Sequence, residues 1–310
     1  THNMFGYALR RVLTAIPIVL ITITVCFFIL RLAPGGPFDG ERALPPDQLK
    51  NLRAYYHLDE PLIMQFFGYI GGVLRGDFGP SMVMKDFNVS RLIGIGLPFT
   101  LTLGFSAFIV GTIGGMIAGA VAAVNQNKWP DYLLVAIVLV GIIIPNFLMA
   151  NLVQLFFGVY LKWLPVGGYR PGSLIHLVLP VFILALPHGG RVARLVRGSM
   201  IEVLGTNYVR TARSKGLGTR LILARHALKP ALLPVVSYLG PGLSYLLTGS
   251  LVVEQVFSLP GIGKYFITAA LNRDYGLVLG TTILYVFIIL ALNLLVDILY
   301  AWLDPKVRYR

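Results

Sequence analysis

Apolar stretches without a single charge recur along the chain at Val12–Leu30, Phe99–Val124, Tyr132–Leu161, Ala231–Val253 and Tyr275–Val296. A helix needs about 20 such residues to cross a hydrocarbon core of roughly 30 Å, so each predicts a transmembrane helix. A sixth stretch begins near Leu174, is interrupted by Pro180 and Pro187, and has to continue past Arg191, because Ser173 to Gly190 alone is barely long enough. The pattern predicts an all-α polytopic membrane protein with six transmembrane helices, which places both termini on one side.

Composition agrees. Of 310 residues, 13% are charged and 56% hydrophobic, whereas soluble chains carry about 25% charge. A soluble globular chain is excluded, and the 18 Phe and 15 Tyr exclude a solvated disordered one. Cys26 is the single cysteine, so neither an intramolecular disulfide nor a thiolate cluster can form. The net charge of +13 matters through its placement. Short loops rich in Lys and Arg mark the cytoplasmic face. With six spans, that face holds fifteen basic residues against four acidic, nine of the basic ones between spans four and five, from Arg191 to Lys229. The outer face holds eleven basic and nine acidic. Both termini are therefore expected in the cytoplasm. Arg10 and Arg11 precede the first span, whose nineteen uncharged residues exceed a secretory core of about 7–15, so an anchor is expected.

The expected organisation is an N-terminal tail and first span over 1–30, an external subdomain over 31–98, a five-helix core over 99–303 containing the cytoplasmic loop 199–230, and a cytoplasmic tail over 304–310. The external segment is too polar for lipid and too long for a bare connection. A helix starting near Asp47 places Leu49 and Leu52 on one face. A second starts at Pro61 with Ile63, Phe66, Phe67 and Ile70 at helical spacing. The segment caps the bundle or docks an external partner.

Nucleotide-binding and catalytic patterns are missing. Gly263-Lys264 is followed by Tyr265 and lacks the upstream glycine of a phosphate loop. The histidines His2, His57, His176, His188 and His226 are scattered, with no metal-ligand spacing. His188 reads as a packing residue before a ligand or proton carrier. No nucleophile with its base is evident, so neither a catalytic residue nor a metal site is expected, and work would draw on an ion gradient or another subunit. The spans hold almost no ionisable groups, with Glu254 and Asp297 placed where they reach an interface, unlike an ion-coupled secondary carrier. Neutral polar residues at depth are Asn146, Asn151 and Gln154 in span three, Tyr238 in span five and Asn293 in span six. They bond between helices or line a pathway, with Asn146 favoured for the pathway because Pro145 beside it kinks the helix. Gly111, Gly115 and Gly119 at four-residue spacing predict a closely packed helix face.

The strongest signal is the basic loop. Thr206 or Asn207 can cap a helix through about Ser214, Gly216 and Gly218 supply a turn, and Thr219 can cap a second helix reaching Ala227 before Pro230 breaks it. This bracket joins two spans directly. Val209, Ala212 and Leu217 offer small apolar contacts between charged flanks. A DNA-binding helix-turn-helix is rejected, because two spans hold it against the bilayer and anionic lipid competes for its arginines. No nucleic acid is expected.

These residues resemble a known family. Tyr208-Val-Arg-Thr-Ala-Arg-Ser-Lys-Gly216 and His226-Ala-Leu-Lys-Pro-Ala-Leu-Leu-Pro234 resemble the cytoplasmic loop of ABC importer permeases of the peptide and nickel branch. The family's Glu-Ala-Ala-x3-Gly appears here with Arg210 and Thr211 replacing Glu and the first Ala, while Ala212 and Gly216 match. Arg31-Leu-Ala-Pro-Gly-Gly-Pro37, Gly76-Asp-Phe-Gly79, Leu259-Pro-Gly-Ile-Gly263, Asn272-Arg-Asp-Tyr275 and the ending from Asp297 extend the likeness over essentially the whole chain. The resemblance implies one extra span before a five-helix importer core, paired with a homologous second permease, two ATPases holding ATP and Mg, and an extracytoplasmic peptide-binding protein. This chain would hold no cofactor and would move oligopeptides by alternating access. Val209, Arg210, Thr211, Ala212, Gly216 and Leu217 would contact an ATPase. A nickel or other small-solute importer shares the pattern, and an ATP-independent carrier is the competing class.

Overall fold

The computed structural model describes residues 2–36, 38, 45–84 and 87–303; the expected tail over 304–310 lies outside them. Helices dominate, and the described residues contain no strand beyond one bridge between Pro80 and Asn88. Five helices are long and apolar enough to cross a membrane, and a bent pair makes a sixth candidate.

Two compact units are formed, Thr1–Thr100 with Pro260–Leu294 and Leu101–Leu259 with the chain from Leu295 onward. They divide the chain differently from the expected 31–98 and 99–303, because residues near 270 fold with the N-terminal third. In the first unit, α1 (His2–Leu32) packs Phe27, fully buried, on Phe66 of α3 (Leu62–Leu74), with ring centroids 5.4 Å apart. Pro45 and Pro61 stand immediately before α2 (Pro46–Tyr55) and α3, as a fixed φ without a needed N–H allows. Leu49 and Leu52 of α2 are the half-buried pair expected. The inward face of α3 is Phe66, Tyr69, Ile70 and Val73, while Ile63 and Phe67 remain about two-thirds exposed; periodicity placed the stripe one step off.

Asp274, 1% exposed, organises this unit. Standing before α13 (Tyr275–Leu303), it accepts the Ser81 hydroxyl and the backbone N–H groups of Met82 (3.1 Å), Val83 (3.3 Å) and Leu277 (3.2 Å). It caps the helix and ties residues 81–83 to it. Asp274→Ala strands four donors, and each buried unsatisfied group costs about 1–3 kcal/mol. We expect the purified protein to lose about 10 °C or more in apparent melting temperature, read by dye-reported unfolding in detergent, and Asp274→Asn to recover only part of it. A melting curve unchanged in the alanine variant would show the cap to be dispensable.

The second unit is built on α7 (Ile175–Leu204), which passes through Pro180 and Pro187 without interruption and carries Arg191, Arg194 and Arg197 along its length. The helix runs past Arg191 as expected, and Arg194 and Arg197, counted with the cytoplasmic charges, are on it as well. Around α7 stand α4 (Val89–Val124, here from Leu101), α5 (Trp129–Ile143) and α11 (Leu233–Val256). Ala123, Val192, Val196, Met200 and Val235 form a shared core. Gly111, Gly115 and Gly119 are the buried face of α4 against α7. A Cβ on Gly111 would come within 2.8 Å of the Ala185 carbonyl, and those on Gly115 and Gly119 would strike the carbonyls of Gly189 and Ala193. Backbones this close leave no room for a methyl group.

The apolar stretch expected as span three is two helices. After α5, Ile144 (φ −75°, ψ 123°) and Pro145 are extended, and α6 (Asn146–Val153), continued by a wide turn over Gln154–Tyr160, leaves at 110°. Proline drives the preceding residue out of helical backbone, so the expected kink is a full break.

Candidate functional site

The loop between α7 and α11 folds into a bracket. α8 (Asn207–Ser214) follows Thr206, whose hydroxyl donates back to the Val203 carbonyl at 2.6 Å and makes no cap. The expected side-chain cap is therefore absent. α8 ends in a left-handed turn at Gly216 (φ +78°), with the N–H groups of Gly216 and Leu217 donating to the carbonyls of Arg213 (2.9 Å) and Ala212 (3.3 Å), the bond pair of a Schellman cap. Gly218 is extended and stands at the cap position of α9 (Thr219–Ile222), where Thr219 was expected. A wide turn over Leu223–Ala227 and the short α10 (Leu228–Ala231) carry the chain to α11. Pro230 sits within α10 and does not end the path.

Six residues were expected to face a partner, and the fold divides them. Val209 (0% exposed) and Ala212 (6%) are buried on Ile222, with Leu217, Val203 and Leu204 around them. They are the small aliphatic positions of α8, and they seal the bracket. Arg210, Thr211 and Gly216 are exposed, beside Asn207 and Arg213. The Tyr208 hydroxyl donates to the His226 carbonyl at 3.2 Å, holding the two arms together. The outcome is a rigid, cationic, solvent-facing helix mounted on the link between α7 and α11.

The polar residues expected along a pathway are dispersed. Asn146 lies near Gly249 of α11. Asn151 is exposed and donates to the Phe147 carbonyl of its own helix at 2.9 Å. Gln154 donates to the Val166 carbonyl and faces that of Val256 at 3.5 Å, so it fastens the chain after α6 to the end of α11. Tyr238 stacks on His188 with ring centroids 5.5 Å apart. Asn293 belongs to the other compact unit. His188 itself is fully buried, hydrogen-bonded to the Thr112 hydroxyl at 2.9 Å and lying against Phe108, as a packing histidine would be.

Two charged features were not read from the sequence. Glu254, expected at an interface, is fully buried. Asp131, 1% exposed, receives Nε and Nη2 of Arg197 at 2.6 and 2.7 Å and the N–H of Asn127 at 3.0 Å. This bidentate pair joins the start of α5 to α7. Sixty-six residues separate its members, and no local pattern couples them. Among the described residues no group of three or more His, Cys, Asp or Glu is arranged to hold a metal ion.

Comparison with known proteins accords with this picture. Residues 111–309 match the model of the binding-protein-dependent transport system inner membrane component family, and residues 4–104 match the N-terminal model of the same membrane components. The oligopeptide transport system permease protein OppB of Salmonella typhimurium is 49% identical over 306 residues, covering 99% of this chain and all of the relative. The protein of that name from Escherichia coli is 49% identical over 307 residues, with the same coverage. The dipeptide transport system permease protein DppB of Bacillus subtilis is 39% identical over 305 residues, covering 98% of each chain. A multi-pass helical chain with a bracketed loop between α7 and α11, matched along nearly its whole length, belongs to the family of binding-protein-dependent transport system inner membrane components.

Proposed function

We propose that this chain is one half of the translocation pathway of an ATP-driven oligopeptide importer in the cytoplasmic membrane of a bacterium, with both termini in the cytoplasm. The observation that carries the reading is α8, a short helix rigidly sealed to α9 and mounted between two long helices of one unit. The names of the relatives, which belong to oligopeptide and dipeptide transport systems, support the cargo class. A homologous second permease would complete the path, two ATPases would hold ATP and Mg, and a soluble binding protein would deliver the peptide to the external segments around α2, α3 and α12 (Ile262–Leu271).

In this reading the exposed Arg210, Thr211, Arg213 and Gly216 touch an ATPase, while Val209, Ala212 and Leu217 keep the helix rigid. A rotation of α8 imposed from below is passed to α7 and α11 together, because both arms of the bracket are bonded. The chain's own task is mechanical and no chemical step is assigned to it.

The turn at Gly216 provides the test. A Cβ there meets no atom within 4 Å, so substitution acts only through the φ of +78°. Asn tolerates that conformation and Val does not. With the complete importer in liposomes, Gly216→Val is expected to keep the subunits together and to reduce ATP-driven peptide uptake at least tenfold relative to hydrolysis, while Gly216→Asn stays within about twofold of the parent. Uptake by this chain alone without nucleotide would overturn the reading.

A further inference from the structure

Arg191 lies on α7 three residues beyond His188, which bonds to Thr112. Thr112 occupies the middle of the apolar stretch Phe99–Val124, so this level of the unit corresponds to the centre of the membrane. A guanidinium at that depth is costly and is retained where it faces a water-filled cavity or a partner charge. Arg197, six residues along, has its carboxylate in Asp131. Among the described residues Arg191 makes no ion pair. Its Cζ stands 4.1 Å over the ring of Tyr245, with Tyr238 also beside it. Both rings belong to α11.

Along α11 the exposed positions run Leu233, Ser237, Pro241, Tyr245, Thr248 and Val252 at helical spacing, with the Ser237 and Thr248 hydroxyls donating to the Leu233 and Ser244 carbonyls one turn back, so Tyr245 is the polar side chain of this stripe that meets the guanidinium. A guanidinium without a carboxylate at this depth is expected to face an aqueous path. Peptides of every sequence share one anionic group, the terminal carboxylate, and a planar guanidinium binds a carboxylate through two parallel hydrogen bonds. Resting on the pathway reading above, we propose that Arg191, held by Tyr245 and Tyr238, is a carboxylate-recognition point that engages the peptide midway across the membrane.

The experiment uses the complete importer in liposomes with one binding protein throughout, and measures kcat/KM for uptake of trialanine and trialanine amide. Because delivery is identical in every arm, a change in the acid-to-amide ratio between variants arises in the permease. Arg191→Gln is expected to lower that ratio roughly tenfold, in the range of charge-assisted hydrogen bonds, with amide uptake nearly unchanged. Arg191→Met supplies the same neutralisation should the Gln variant fail to assemble. A third peptide, an amide with an internal glutamate, separates the sources: dependence on Arg191 for this peptide too means any carboxylate is read, and its absence means the terminal one. Equal losses for acid and amide, or an unchanged ratio, would overturn the proposal while leaving the pathway reading in place. Wild-type liposomes that take up neither peptide with ATP would overturn the pathway reading as well.

Discussion

Asp131→Ala is expected to be among the most destabilising single substitutions in the second unit, and pairing it with Arg197→Met to recover most of the loss. The carboxylate is almost fully buried and takes both prongs of the Arg197 fork. Removing one member of a buried pair costs about 3–5 kcal/mol, chiefly by stranding the other charge, whereas replacing both with apolar groups is often neutral. Arg197 keeps 30% of its side chain exposed, which places the expected loss near the lower end, about 3 kcal/mol. The check is recovery of monodisperse protein after graded heating in detergent. We expect a clear drop for Asp131→Ala and a recovery for Asp131→Leu combined with Arg197→Met. Wild-type behaviour of the single variant would show that the pair contributes nothing.

Gly115→Leu is expected to abolish both folding yield and transport, and Gly114→Leu to do neither. Adjacent in sequence, the two glycines differ only in what their missing side chains would meet. A Cβ on Gly115 runs into the Gly189 carbonyl and lies 2.8 Å from Val192 Cβ, whereas one on Gly114 meets nothing within 4 Å. Backbone atoms cannot yield as a flexible side chain can, so α4 and α7 must separate and the core of Val192, Val196 and Ala123 opens. Even Gly115→Ala should lower the yield measurably, while Gly114→Ala gains helix propensity of up to about 1 kcal/mol. Equal yields of the two leucine variants from membranes would count against the close approach.

Much of this molecule was legible from its sequence. Uninterrupted apolar runs locate helices because a backbone in hydrocarbon must satisfy its own hydrogen bonds, and four of the six expected stretches lie on single long helices without correction. The glycine repeat of α4 and the proline start of α3 were equally plain, since each depends on a local steric fact. So was the loop motif around Ala212 and Gly216, whose left-handed turn only glycine or asparagine enters readily.

What the tertiary structure decided is which side of each element is inside and which distant charges meet. Helical period places Val209 and Ala212 on one face of α8 but cannot say that this face seals against Ile222. On α3 it likewise could not separate Phe66, on the buried side, from Phe67 beside it. The break at Ile144 and Pro145 is foreshadowed by the proline, but its size, 110° between the two helices, is seen only in the tertiary structure. Arg197 finds Asp131 across sixty-six residues, and Arg191 is left without a carboxylate on the same helix. Local sequence determines the elements because their energetics are local. The pairing of charges and the choice of a buried face are set only when elements dock, since desolvation depends on neighbours the chain supplies from elsewhere.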